Sequence, residues 1–582
     1  MSVAITYEQL VGQTFCDNAI RSVMMIDDQF IPYPNLIDLI SNKEEIDQQL
    51  IITSKRAAHL EQFFQNRKIL CDIDNSSSNL DIERIRKSDL IIIDYYLDKE
   101  DPTKTLEILC GLKDSKHFNL AIVYTSNELN KVWMEIASSF VTTKDINSQI
   151  DQIENLDDFW SETILPSIEA SSDYSLTKQD LIEYLRTGKT KGSIKGILCK
   201  TEFKDNKDQI VKIIHDYYID KNQIIKSRSN KELQILGDIN GNKWIKSGNV
   251  FVCLYQKSID NIEADPKNIW ETLQSSLVDW KPSYYQLIQS EIQNHIESDS
   301  MAFNSVHDND KHGQAAWLQE ILKSNSSAEY TQLIRSINSD ISEELSLKFN
   351  KNEELGSFLE STFQYYKDDF MARPNTDPIK FCADILGLPF DRNKTSKDMY
   401  HALNMHLSSK NYQNEYISTG TIFKTVISPY STTDTPDTWY LCVSAACDMI
   451  PNQANDPYNE RLTPHRFIRV LKLFPTNQDL AIKNATHSKY IYVYDNNERK
   501  YFSILNDSSN LPSIDYMAIK DHVTQFSRSY VPLTRLKNHD GHIEMEDILV
   551  KLKSQLRVGY AERYQSIASQ HSARIGVDYI NL

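Results

Sequence analysis

The stretch Asp89-Leu90-Ile91-Ile92-Ile93-Asp94-Tyr95-Tyr96-Leu97 decides how this chain is read. Its unbroken apolar run predicts a parallel strand covered on both faces, because successive strand side chains point in opposite directions and here both sets are apolar. Asp94 then sits at the carboxyl end of that strand, the edge where open α/β sheets place their ligands. Two further runs repeat the pattern: Ser22-Val23-Met24-Met25-Ile26 leads into Asp27-Asp28, and Leu120-Ala121-Ile122-Val123-Tyr124 leads into Thr125-Ser126. Helical crossovers between parallel strands bring such ends to one rim. Three carboxylates that close repel one another unless a hard divalent cation sits among them, and oxygen donors of this kind suit Mg²⁺. Asp27, Asp28 and Asp94 are therefore the candidate Mg²⁺ ligands, and Asp94 keeps an open side for in-line attack on a phosphoryl group.

These residues resemble the receiver domain of two-component response regulators. The resemblance implies a doubly wound, flavodoxin-like parallel sheet, an acidic pair at Asp27 and Asp28, a phosphoryl-accepting Asp94 and a hydroxyl at Thr125. It also calls for a lysine after the fifth strand. Ser139-Phe140-Val141-Thr142-Thr143-Lys144 is the expected fifth strand, with Phe140 at the position of the family's switch aromatic and Lys144 as the lysine. Lys144 stands about one residue late, and Asp145 follows it instead of the family's usual Pro. The stretch between the acidic pair and Asp94 is long for the family, so an insertion is expected near Pro32 to Ile52. The resemblance covers the first quarter of the chain and implies Mg²⁺ as cofactor and a sensor histidine kinase as partner. Its alternative is a degenerate receiver that serves as an interaction scaffold.

At 582 residues the chain exceeds what one hydrophobic core organises, so several domains are expected. The net charge of −18 argues against sequence-independent binding to nucleic acid, which needs a basic surface. Cysteines at 16, 71, 110, 199, 253, 382, 442 and 447 form no CxxC pair and fit reduced thiols better than a disulfide framework or a zinc site. No apolar run reaches membrane-spanning length, and the amino terminus has no basic segment followed by an apolar one. A cytoplasmic protein is expected.

The predicted architecture is multidomain, α/β and α+β. Residues 1–170 form the receiver-like domain, with helices over Thr6–Arg21, Ala57–Gln65, Pro102–Leu112 and Glu128–Ser138 and a second strand over Lys68–Ile73. Asp157–Ala170 reads as its closing helix or as the first connector. Residues 171–196, rich in Gly and Lys, read as a linker and 197–265 as a small α/β segment. Residues 266–411 read as mainly helical, with Leu355, Leu359, Phe363, Tyr366 and Phe370 on one face. Residues 412–582 read as a β-rich, barrel-like domain, and Leu552, Leu556, Tyr560, Tyr564 and Ile567 mark a terminal amphipathic helix.

Three motifs carry less than they first suggest. Gly188-Lys189-Thr190 lacks the Gly five positions earlier that a phosphate loop needs, since Glu183 stands there. Asp308, Asp310 and Gly313 follow calcium-loop spacing, but His312 and Gln319 replace two ligands. Cys447, Asp448 and His465 contain the ingredients of a thiol nucleophile, yet a buried structural cysteine at a strand end is the better reading.

The function expected from these residues is phosphoryl acceptance on Asp94 within a two-component pathway. In architecture and size the chain resembles the phosphate-accepting receiver component of the Detocs anti-phage system, which implies a phosphate sink or buffer and an effector-bearing response regulator as a second partner. The alternative is a receiver-regulated enzyme with its active site in the carboxyl-terminal region. Tyr96, two residues past the acceptor, is expected to shield an acyl phosphate from water.

Overall fold

In a computed structural model the chain divides into two compact units, Met1–Ala302 with Lys348–Asp368 and Phe303–Leu347 with Asp369–Leu582. The structure describes residues 5–32, 37, 48–75, 82–115, 118–226, 236–259, 261–298, 310–323, 327–412, 417–426, 438–449, 460–495, 498–520 and 530–573. His307, Asp308 and Asn309 of the calcium-like turn lie outside them, as does the side chain of Cys447.

The first unit is built on a seven-stranded sheet, in the order β2-β1-β3-β4-β7-β6-β5. Its strands are β1 (Ser22–Ile26), β2 (Leu70–Asp74), β3 (Leu90–Ile93), β4 (Asn119–Thr125), β5 (Leu236–Asp238), β6 (Trp244–Ser247) and β7 (Val250–Gln256). The first five in that order are parallel, and β6 and β5 extend the sheet antiparallel beyond β7. Alternation along the strands feeds two cores. Met24, Ile26, Ile91, Ile93, Val123, Val252 and Leu254 face one side. Val23, Met25, Leu90, Ile92, Ile122, Tyr124, Phe251 and Cys253 face the other. Ile91, Ile92 and Ile93 are at most 2 % exposed, and each such side chain contributes about 1.5–3 kcal/mol by leaving water.

Helices Thr103–Lys113 and Leu129–Ser139 cover the first face through Leu106, Leu109, Trp133 and Ile136. The second face is covered by Tyr7–Gly12 with its continuation Gln13–Asp17, by Gln48–Asn66 and by Asp265–Trp280. The crossover helix starts at Gln48, so Gln48–Ile52 of the expected insertion belong to it. The closing helix is Asp265–Trp280, whose Ile269, Trp270, Leu273 and Leu277 enter the second core. Asp157–Ala170 lies elsewhere: Leu156, Trp160, Ile164 and Ile168 pack with Ile210, Val211 and Ile214 in a separate helical core. That core belongs to an excursion of the chain between β4 and β7. A folded insertion of this kind costs little in closure entropy, which rises by only about 0.6 kcal/mol per doubling of loop length.

The expected linker at 171–196 is corrected accordingly. Helix Lys178–Thr187 buries Leu181, Ile182 and Leu185 in the sheet's first core, and Gly192–Leu198 buries Ile194 and Leu198 in the helical one. Gly188 ends the first of these helices in the left-handed conformation, φ 69°, the usual place for a residue without Cβ. The segment 197–265 is likewise part of the first unit, since it supplies β5, β6 and β7. Helices Asp265–Trp280 and Tyr284–Ser298 also belong there. In helix Glu353–Met371 the buried positions are Leu355, Phe358 and Thr362, whereas Phe363 is 55 % exposed, so the expected stripe is offset.

The second unit holds an antiparallel barrel of β9 (Thr421–Val426), β16 (His542–Leu556), β15 (Tyr530–His539), β14 (Ile514–Lys520), β11 (His465–Pro475) and β10 (Trp439–Cys442), closed by pairing of β10 with both β9 and β11. One core takes a residue from every wall: Phe423, Tyr440, Ile468, Met517, Val531 and Val550. The hairpin β12 (Tyr490–Asp495) with β13 (Glu498–Ser503) branches from the end of β11. Helix Val558–Ser572 packs outside the barrel through Ala561, Tyr564 and Ala568. Leu552 and Leu556 are strand residues rather than the start of that helix, held by pairing of β16 with β9 and with β8 (Ser409–Asn411). Cys442 is buried, which pushes its thiol up to about 12, and His465 is exposed at the start of β11.

Candidate functional site

Strands β1 and β3 run in register, Ile26 opposite Ile93, so the next residues, Asp27 and Asp94, come side by side at the rim. Their backbones are fixed by the sheet itself: the Asp94 amide donates to the Ile26 carbonyl at 2.8 Å and the Asp27 amide to the Asp74 carbonyl at 3.1 Å. Asp28 follows directly and is exposed. One carboxylate oxygen from each of Asp27, Asp28 and Asp94 lies within 4.8 Å of the others. An all-oxygen, partly buried donor set with an exposed member fits Mg²⁺, which keeps several waters when bound.

The site is closed by a residue that sequence reasoning missed. Strand β7 pairs in parallel with β4 over its whole length, from Asn119 opposite Val250 to Thr125 opposite Gln256. The next residue, Lys257, donates its amide to the Thr125 carbonyl at 2.8 Å. Its ammonium reaches Asp27 Oδ2 at 2.7 Å and Asp94 Oδ1 at 3.2 Å, with the side chain 8 % exposed. Three carboxylates around one ammonium leave the rim net negative and ready for a divalent cation.

Electrostatics at Asp94 are dominated by burial, which raises its pKa from 3.8 to about 6; Lys257 works against that shift and Asp27 adds to it. Asp94 Oδ1 also accepts the Tyr95 amide at 2.9 Å. Burial raises the Asp28 carboxyl too, with Asp27 contributing. Thr125 is fully buried at the end of β4, and its Oγ1 accepts two bonds from Asn127, from the amide at 3.3 Å and from Nδ2 at 3.0 Å. A hydroxyl that accepts twice still has its proton to give.

Lys144 is not part of this group. Ser139 is the last residue of helix Leu129–Ser139, and Lys144 is exposed in the irregular segment before helix Ile146–Ile150. The apparent strand was the tail of a helical stripe: Trp133, Ile136, Ala137 and Phe140 recur at helical spacing and are buried together. Phe140 sits under the first face, its carbonyl accepting from Lys113 Nζ at 2.9 Å. The signal for the true fifth strand was the apolar run Val250-Phe251-Val252-Cys253-Leu254, which ends in polar Gln256-Lys257 as the other strands end in carboxylates or a hydroxyl.

Residues 19–174 match the family model described as Response receiver domain. That stretch is a receiver domain. No curated protein and no solved structure matches the chain. The match stops short of β7, so the structure adds to the receiver the strand and the lysine that complete its rim. A receiver domain takes a phosphoryl group from a histidine kinase onto an aspartate, generally with Mg²⁺ in an acidic pocket. Among the described residues no helix is long and apolar enough to cross a membrane.

Proposed function

We propose that this protein is a cytoplasmic two-component signalling protein that accepts a phosphoryl group on Asp94. The observation that carries this reading is the convergence of Asp27, Asp28, Asp94 and Lys257 at one end of three parallel strands. A carboxylate oxygen of Asp94 attacks phosphorus in line; the N–P bond of a kinase phosphohistidine breaks, an O–P bond forms, and the imidazole leaves with its electron pair and takes up a proton. Asp27, Asp28 and Asp94 would hold Mg²⁺, which would supply neutralisation of the incoming charge. Lys257 offsets the negative charge of the rim and reaches the acceptor carboxylate directly. Thr125 has a hydroxyl proton for a phosphoryl oxygen.

The resemblance in architecture to the Detocs phosphate-accepting component supports a finer reading, in which the protein draws phosphoryl groups away from an effector-bearing regulator during anti-phage defence. Phosphotransfer from a cognate sensor kinase tests the core of this: wild type gains an acid-stable, base-labile phosphate and Asp94→Asn does not. Equal labelling of the two proteins sinks it. For the finer reading, adding the protein to kinase and regulator must lower regulator phosphate; an unchanged level removes the sink role.

A further inference from the structure

We propose that Arg56 and Asp265 clamp the residue after Lys257 and so position its ammonium against Asp27 and Asp94, an inference that rests on the phosphoryl-acceptor reading above. Ser258 follows Lys257 where a receiver usually has Pro. Serine does not fix its own φ, so the aim of a lysine on a flexible four-carbon stem has to be set by something else.

Side chains from two helices supply it. The Ser258 carbonyl accepts from Arg56 Nη2 at 2.7 Å, and the Ser258 amide donates to Asp265 Oδ2 at 3.2 Å, so both main-chain polar groups of that residue are held. Asp265 is fully buried at the head of helix Asp265–Trp280. It also accepts the hydroxyl of Tyr124 at 2.5 Å and that of Tyr255 at 3.2 Å. Tyr124 immediately precedes Thr125, and Tyr255 lies two residues before Lys257. Arg56, on crossover helix Gln48–Asn66, lies 5.7 Å from the centre of the Tyr124 ring, and the Lys257 ammonium lies 5.4 Å from the centre of the same ring. The carboxylate thus ties the ends of β4 and β7 to the peptide that follows the lysine, and the guanidinium anchors the next peptide to the crossover helix on the same face.

The test is a double-mutant cycle in the full-length protein. The probe is acetyl phosphate with Mg²⁺, and the readout is the rate of phosphoprotein formation by intact mass. Arg56→Gln is expected to slow the rate about tenfold, in line with the cost of a misplaced group, and Arg56→Lys to recover part of it. In the Lys257→Ala background Arg56→Gln should do nothing more. Asp265→Asn, entered in the same cycle, covers the other half of the clamp. Wild-type rates for Arg56→Gln, or single effects that multiply in the double variant, overturn the clamp, because a scaffold role or a direct charge effect is independent of Lys257. The same cycle read as Mg²⁺ affinity by calorimetry judges the clamp without any phosphoryl transfer: coupling to Lys257 supports it and full additivity overturns it. An Asp94→Asn protein labelled like wild type instead overturns the acceptor reading, and the Mg²⁺ cycle still decides the clamp.

Discussion

The ammonium of Lys257 lies 2.7 Å from Asp27 Oδ2, although 230 positions separate the two residues in the chain. The helical excursion and the β5–β6 hairpin between β4 and β7 leave the parallel sheet intact, because the ladder between β4 and β7 is complete from Asn119 to Thr125. The acceptor pocket is therefore assembled only once the distant strand has docked.

Lys257→Ala should accordingly lower phosphoryl acceptance from acetyl phosphate by about 10²-fold, the scale seen when one preorganised charge-stabilising group is removed. Lys144→Ala should leave it at the wild-type rate, since Lys144 is exposed beyond the helix that follows β4. Rates by intact mass over a time course settle the matter. Loss of rate in Lys144→Ala with none in Lys257→Ala would return the fifth-strand role to residues 139–144.

Stability should depend on Asp94 with a definite sign. Its folded pKa of about 6 stands above the ordinary carboxyl value of 3.8, so the folded state holds the proton more tightly. Stability from that proton is complete below about pH 4 and lost as pH rises through about 6. A shift of that size corresponds to about 3 kcal/mol at neutral and alkaline pH. Asp94→Asn should therefore be the more stable protein in metal-free buffer near pH 8, and the two should converge near pH 4. Mg²⁺ should raise the wild-type midpoint more than that of the variant, because it binds the folded rim and Asn supplies one charge fewer. Urea melts at the two pH values, with and without Mg²⁺, give the comparison. A variant less stable than wild type near pH 8 would contradict the burial argument.

How much of this was legible in the sequence follows from distance along the chain. Asp27, Asp94 and Thr125 could be read because each ends a short apolar run, and parallel order alone brings such ends together. Lys257 was missed although it too follows an apolar run, because its strand lies beyond a whole helical subdomain and the strands just before it, β5 and β6, are antiparallel. Phe140 misled for a different reason: a buried helical stripe that ends in Phe140-Val141 reads locally as β-branched strand. The same ambiguity moved Leu552 and Leu556 from strand to helix, since positions four apart share a face in either period; in the strand, the irregularity between Leu552 and Ser554 sends the two into different cores.

The edge hairpin that follows the excursion offers a stability test away from the site. A Cβ on Gly237 would lie 2.7 Å from the Trp244 carbonyl oxygen and 2.8 Å from Trp133 Cζ2. That carbonyl already accepts the Trp133 Nε1 proton at 3.0 Å, so neither neighbour moves freely. Gly237→Ala should cost about 1–3 kcal/mol by overpacking, seen as a lower urea midpoint with an unchanged slope. A midpoint equal to wild type would mean that the hairpin and Trp133 separate easily in solution.

Tyr96 bears on how long the acyl phosphate lasts. It is half-buried two residues past Asp94, and its ring centre lies 5.1 Å from that of Tyr95, which is fully buried and donates its hydroxyl to Glu135 Oε2 at 2.7 Å. We propose that a ring held against a fixed neighbour two residues past the acceptor limits the approach of water to the mixed anhydride. Tyr96→Ala should therefore shorten the phosphoprotein half-life by about threefold to tenfold, a barrier change of about 1 kcal/mol, while Tyr96→Phe should keep the wild-type half-life because the covering ring remains. Decay of isolated phosphoprotein in Mg²⁺ buffer measures both. An unchanged half-life in Tyr96→Ala removes the shielding role and leaves the lifetime to be set by the charges of Lys257 and the acidic rim.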